Sequence, residues 1–143
     1  LLVEFPYHGW PLPLAREVDR LRRLGMRVVI AHPERNGEVQ ERPGRMAPLA
    51  DAGALVQLTA ASVDGRLGRR AARASDRLIE MRLAHLVASD AHMPGVRQAG
   101  LSAAAEALGE PLARWMTRDV PAAILSGAPT PPRPPRRRRW LGL

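Results

Sequence analysis

The sequence predicts an α/β protein of parallel strands covered by helices. Four short apolar runs, residues 1–5, 26–31, 54–58 and 83–88, read as strands buried on both faces because they do not alternate with polar residues. The segments between them have helical spacing, which gives the order β-α-β-α-β-α-β-α with crossovers long enough for helices. A third observation is chemical. Three of the runs stop at a metal-competent side chain: the first at Glu4, the second at His32, the fourth at Asp90 with His92 following. In parallel α/β folds functional groups sit just beyond the carboxyl ends of the strands, so the fold and the chemistry agree although they rest on different features.

In order along the chain, residues 1–5 form the first strand and residues 6–13 a turn-rich loop with three prolines. Leu14, Val18, Leu21 and Leu24 recur at helical spacing, and Gly25 provides a stop. Residues 26–31 are the second strand, 33–44 a polar loop and 45–52 a short helix closed by Gly53. The third strand, 54–58, ends at Thr59. It leads into a loop, 60–68, containing Gly65 and Gly68. Residues 69–82 are helical through Ala72, Leu78, Ile79 and Met81, and 83–88 form the fourth strand. An Ala-rich helix, 98–108, ends at Gly109, and shorter helical pieces follow at 110–116 and 122–125. From Gly127 the Pro- and Arg-rich composition predicts an extended, disordered tail. The expected organisation is one domain over residues 1–127 and a basic tail over 128–143.

The composition excludes several classes. Aromatics make up only 3% of a chain that is 45% hydrophobic, so the core must be mostly Leu, Val, Ile and Ala. There is no cysteine, hence no disulfide, no thiolate nucleophile and no Cys-type zinc site. A metal here must be held by His, Asp and Glu, which suits Mn, Fe, Zn or Mg. The net charge of +8 invites a nucleic-acid reading. Against it, Arg136 to Arg139 form one run in the tail, and the other arginines are interspersed with Asp and Glu without aromatic interleaving. No apolar stretch approaches the roughly 18 residues needed to span a bilayer, and the start lacks a signal-peptide signature. The expected location is the cytoplasm. The chain opens inside a strand, which suggests the C-terminal part of a longer protein.

Asp90 and His92, spaced i, i+2 at a strand end, can point the same way and share one ion. The plain alternative is a Ser-Asp turn cap with a surface histidine. His32 precedes Pro33, which favours an extended conformation; its alternative is a histidine that hydrogen-bonds a loop. Glu4 can ligate, or be an exposed charge at a frayed end. Glu34 can ligate, but a salt bridge to Arg35 or a neighbour is the better reading. Arg35 and Arg97 each follow a proposed ligand, and a guanidinium fork matches phosphate oxygens. His85 lies within an apolar strand and reads as a satisfied core histidine. His8 sits in a loop that could line the cleft. Gln57, Thr59 and Ser62 are placed to orient metal ligands. Basic residues beside Trp140 and Leu141 suit anionic headgroups, a weak membrane-surface contact at most.

Glu4-Phe5-Pro6, Ala31-His32-Pro33-Glu34-Arg35, Gln57-Leu58-Thr59-Ala60-Ala61-Ser62 with Gly65 and Gly68, and Ser89-Asp90-Ala91-His92 followed by Arg97 occur in an order and spacing that resembles the polymerase-and-histidinol-phosphatase (PHP) superfamily. The likeness is strongest to its bacterial manganese-dependent tyrosine-protein phosphatases of the CpsB/CapC type, and it runs from residue 1 to about residue 127. The resemblance implies a distorted (β/α)7 barrel, of which this chain is the C-terminal part, with a centre of two or three divalent ions: Mn2+, or Fe, Zn or Co. Carried over, Glu4, His32, Asp90 and His92 are metal ligands, and Arg35 and Arg97 hold the phosphate. The implied substrate is phosphotyrosine on a bacterial tyrosine kinase in capsular or exopolysaccharide production. The family opens on a His-X-His motif that this chain lacks. The complete protein is therefore expected to be active and this portion alone to be inactive or weakly metal-binding.

The expected chemistry is metal-assisted hydrolysis, with the arginines neutralising the phosphoryl oxygens. A tyrosine leaving group, with a phenol pKa of about 10, needs little acid assistance. Two other readings stay open. One is a phosphoesterase of the same superfamily acting on a small metabolite such as histidinol phosphate. The other is a non-catalytic scaffold that binds the kinase or the membrane through the tail.

Overall fold

A computed structural model describes residues 1–10, 13–92 and 100–135. Four strands, β1 (Leu2–Glu4), β2 (Val29–Ala31), β3 (Leu55–Thr59) and β4 (Leu86–Ala88), pair in parallel in their order along the chain. Glu4 lies beside Ala31, Ala31 beside Gln57, and Thr59 beside Ala88. This register brings the carboxyl ends of all four strands to one rim. Every residue of β2 and β3 is buried, as their unbroken apolar runs require.

The strands are shorter than the apolar runs that predicted them, because the entering residues are core without being laddered. Val28, Leu83 and Ala84 are buried ahead of their strands. Among the described residues the sheet is open, and β1 pairs on one side only, with Leu1 and Leu2 exposed. An edge of that kind is a template for further pairing.

Two helices form where the sequence places them, α1 (Leu14–Arg23), which buries Val18, and α5 (Arg69–Glu80). Of the residues read for α5 only Leu78 is fully buried, Met81 being exposed past its end, and the buried set is Ala71, Ala74, Ser75 and Leu78. The last set falls at i, i+3, i+4 and i+7, one helix face. The polar segment 33–44, expected to be a loop, is largely helical. It comprises a 3-10 turn (Pro33–Arg35), α2 (Gly37–Glu41) and a second 3-10 turn (Pro43–Met46), followed by α3 (Ala47–Asp51). Pro33 and Pro43 stand at first helical positions, where the missing N–H is no loss. Asn36 caps α2 by accepting from the N–H groups of Glu38 at 2.9 Å and Val39 at 3.1 Å. Residues 60–68 likewise begin with a helical turn, α4 (Ala60–Val63). The predicted helix at 98–108 is observed as α6 (Ser102–Leu108). The next two pieces are α7 (Leu112–Arg114) and α8 (Val120–Ser126), joined by a π-helical turn (Trp115–Asp119).

Residues 128–135 correct the expectation of a disordered tail. The Arg27 guanidinium donates to the Ala128 carbonyl at 2.6 Å, and the Trp115 indole N–H donates to the Pro131 carbonyl at 3.0 Å. Arg133 stacks over the Trp115 ring at 5.4 Å and donates to the carbonyls of Ala84 at 2.8 Å and Ile79 at 3.0 Å. A proline-rich strand has few conformations to lose, so a handful of anchors suffices to order it. Arg27 and Ala84 belong to the segments that enter β2 and β4, so the strap crosses the end of the sheet opposite the rim that carries Glu4 and Asp90. The run Arg136 to Arg139 lies outside the described residues.

His85 is the satisfied core histidine its position suggests. Its Nδ1 accepts the Val56 backbone N–H at 3.1 Å, and its ring lies 6.3 Å from Trp115. Burial, with Arg133 beside it, pushes its pKa down to about 4; Arg82 lines the same small cavity. The folded state therefore binds fewer protons than the unfolded state between about pH 4 and pH 6.5. The stability contribution is complete above pH 6.5 and is lost as the pH falls toward 4, by on the order of 3 kcal/mol. Urea midpoints at pH 7 and pH 4.5 should show a steeper acid loss for the wild type than for His85→Gln. Equal losses would contradict this assignment.

Candidate metal centre

The turn after β2 places most of the site. His32 has left-handed backbone angles (φ 34°, ψ 52°), a conformation histidine tolerates better than most residues. It therefore departs from the extended conformation that Pro33 led us to expect. The reversal turns the following 3-10 segment so that Glu34 points inward and Arg35 points to the rim. Asp90, two residues past β4, is also left-handed at φ 50°, a conformation that Asp adopts with little strain.

Two carboxylate–imidazole pairs result. His32 Nε2 lies 3.3 Å from Glu4 Oε1, with the imidazole buried and the carboxylate exposed. His92 Nδ1 lies 3.3 Å from Asp90 Oδ1 and 2.8 Å from the Asp90 carbonyl. Arg35 joins them: its Nη1 donates to Asp90 Oδ2 at 3.0 Å. Thr59 Oγ1 reaches the same oxygen at 3.5 Å, the outer limit of a hydrogen bond. The His32 ring also feels Glu4, Arg35 and Asp90 electrostatically, so these four groups share one neighbourhood. Burial, and then the Arg35 charge, hold the His32 imidazole below its ordinary pKa. It is therefore neutral at neutral pH, the form that ligates metals.

Among the described residues no three of these groups close into one cage. The donor set nevertheless fits divalent ions of the manganese, iron or zinc kind: carboxylate oxygens and neutral imidazoles at the mouth of a strand end, with no thiolate. Arg97 lies outside the described residues.

Glu34 corrects the sequence reading. It makes no salt bridge to Arg35. It is wholly buried, and its Oε1 accepts the Thr59 backbone N–H at 3.0 Å. Its Oε2 and the Ser62 hydroxyl are buried without a hydrogen-bond partner, although the hydroxyl lies close enough to favour the carboxylate. Burial pushes the Glu34 carboxyl up to about 7, against the pull of the Thr59 N–H and Ser62. Gln57, Thr59 and Ser62 are all buried beneath the rim. His8 stands in the loop beside Gly37, where its Nδ1 would meet a side chain at that position.

Tyr7 and Asn36 were missed. Tyr7 accepts from Arg35 Nη2 at 2.5 Å and lies under the guanidinium at 4.8 Å. Asn36 donates to the carbonyls of Pro6 at 2.7 Å and Gly9 at 3.0 Å. The available signals were an aromatic residue just past the strand that ends in Glu4, and an Asn-Gly pair opening a helix.

Fold and donor set together define a parallel α/β protein with carboxylate, imidazole and guanidinium groups at the carboxyl ends of its strands. Residues 1–126 match the family described as capsular polysaccharide synthesis, CpsB/CapC. The chain belongs to that family. It is 34% identical over 149 residues to the tyrosine-protein phosphatase YwqE of Bacillus subtilis (strain 168), in an alignment covering 100% of this chain and 59% of YwqE. It is 38% identical over 92 residues to CapC of Staphylococcus aureus, covering 64% of this chain and 36% of CapC. A chain from the crystal structures of YwqE and of CpsB from Streptococcus pneumoniae, described as metal-dependent tyrosine phosphatases, superposes with a TM-score of 0.82 at 33% identity. That superposition covers 94% of this chain and 57% of the other. The chain thus spans under two thirds of the length of these relatives.

Proposed function

We propose that this chain forms the carboxyl-terminal portion of a metal-dependent protein-tyrosine phosphatase. Its substrate is phosphotyrosine on a bacterial tyrosine kinase that regulates capsular or exopolysaccharide production. The observation that carries this reading is the convergence of Glu4, His32, Asp90 and Arg35 on one rim, in a chain of the CpsB/CapC family. The remaining length of the relatives is where a strand to cover the free edge of β1, and so to close a (β/α)7 barrel, would come from. Residues 1–127 would make up this chain's share of that domain, and no described helix is long and apolar enough to cross a membrane. The site would face the cytoplasm.

Glu4, His32, Asp90 and His92 would hold two or three divalent ions, Mn2+ by preference. Bound there, such ions lower the pKa of a water and draw charge off a phosphoryl group. Arg35 supplies a fixed cation, held by Asp90, against the oxygens of the transferring group. Arg97, the second arginine that the family resemblance assigns to the phosphate, would act with it. Thr59 steadies the Asp90 carboxylate from beneath. There is no cysteine for a phospho-enzyme, and direct attack by water needs none.

The test is substrate choice in the complete protein. A phosphotyrosine peptide should be hydrolysed with a kcat/KM at least about tenfold above that for histidinol phosphate, and a chelator should remove both activities. Preference for the small ester would favour a metabolite phosphatase. Function that survives alanine at the four ligands but fails on deletion of residues 128–143 would favour a scaffold.

A further inference from the structure

We infer that Tyr7 is a positioning residue for the phosphate-binding arginine, acting through Arg35 rather than on the substrate. The inference rests on the phosphatase reading and extends it to a residue in the loop between β1 and α1. A guanidinium at a rim is useful only if it is held still, because a free arginine side chain samples many rotamers. Asp90 fixes one end of the fork, Nη1. The Tyr7 hydroxyl fixes the other, Nη2, at 2.5 Å, while the guanidinium carbon lies over the phenol ring, 4.8 Å from its centroid. Two partners and a face contact define the orientation of a planar cation, and N–H donors remain on the fork for phosphate oxygens.

The loop that carries Tyr7 is built for this task. Its carbonyl accepts the Gly37 N–H at 2.9 Å. Asn36 clamps the loop on both sides of Tyr7 through the carbonyls of Pro6 and Gly9. Phe5 and Trp10 close its base with an edge-to-face contact at 5.4 Å. Gly37 and Asn36 directly follow the 3-10 turn bearing Arg35, so loop and arginine are fastened to the same short piece of chain. Tyr7 nonetheless remains 46% exposed. An aromatic side chain left half in water but hydrogen-bonded to a rim cation contributes little to the core, so its position serves the arginine.

The experiment is a double-mutant cycle in the complete, metal-loaded protein, pairing Tyr7→Phe with Arg35→Ala. It reads KM and kcat for a phosphotyrosine peptide, the inhibition constant of inorganic phosphate, and the melting temperature. Tyr7→Phe should raise KM and the phosphate inhibition constant about fivefold and change kcat by less than about twofold. It should leave the melting temperature unmoved and have no further effect once Arg35 is alanine. Tyr7→Leu, which also removes the ring, should cost more, about tenfold. The same loss in both Arg35 backgrounds would make Tyr7 independent of Arg35 and overturn the inference. So would a Tyr7→Phe enzyme indistinguishable from wild type. If Arg35→Ala alone leaves KM and phosphate inhibition unchanged, the phosphate-binding reading itself fails, a result distinct from a failure of the Tyr7 coupling.

Discussion

Replacing Asp90 by Asn is expected to lower phosphotyrosine hydrolysis by the complete protein by about a thousandfold or more while leaving the fold intact. The backbone at Asp90 is left-handed, φ 50°. Asparagine accepts that conformation as readily as aspartate, whereas alanine or leucine would add strain. The amide oxygen can still accept from Arg35 and Thr59, which now donate to Asp90 Oδ2. What disappears is the anionic charge, which both a divalent ion and the Arg35 guanidinium need. Metal content per chain should fall with activity, and the circular dichroism spectrum should not change. An Asp90→Asn enzyme retaining a tenth of wild-type activity would remove Asp90 from the site.

The second large effect concerns stability. Glu34→Ala is expected to cost about 2–4 kcal/mol, read as a shift in the urea midpoint. The substitution opens a cavity where a wholly buried side chain stood and leaves the Thr59 N–H without its acceptor. Glu34→Gln keeps the volume and an oxygen facing Thr59. It also gives the Ser62 hydroxyl, which has no partner in its buried position, an amide to bond. It should therefore stay within about 1 kcal/mol of wild type. Equal losses for the two variants would show that charge, rather than the hydrogen bond and volume, is what the interior requires at this position.

These two residues also mark what of their placement was legible in the sequence and what was not. Asp90 was legible because an unbroken apolar run ended on it, and the parallel order of the strands put all such endings on one rim. The recurrence of Leu14, Val18 and Leu21 gave α1 and that of Ala72, Leu78 and Ile79 gave α5 for the same reason, that burial imposes a period, although the face α5 buries is that of Ala71, Ala74 and Leu78. Glu34 was misread because Glu beside Arg resembles a surface ion pair. Only the left-handed turn at His32, invisible to periodicity, sends one inward and the other outward. Residues 33–44 looked like a loop because their helices are single turns set by Asn36 and by prolines at first positions, not by an apolar stripe. Tyr7 was missed because its partner is 28 residues away and no local pattern announces the contact. The proline-rich strap was taken for disorder because composition does not reveal that Arg27 and Trp115 lie ready to hold it.

The strap has a practical corollary for handling the molecule. It binds the chain to the floor of the sheet, near Ala84 and Arg27, with the rim that carries Glu4 and Asp90 on the roof. A fluorophore or affinity handle attached near Pro135 would be carried on the underside, leaving the roof open to the phosphoprotein proposed as substrate. One attached to the loop around His8 would stand in the doorway.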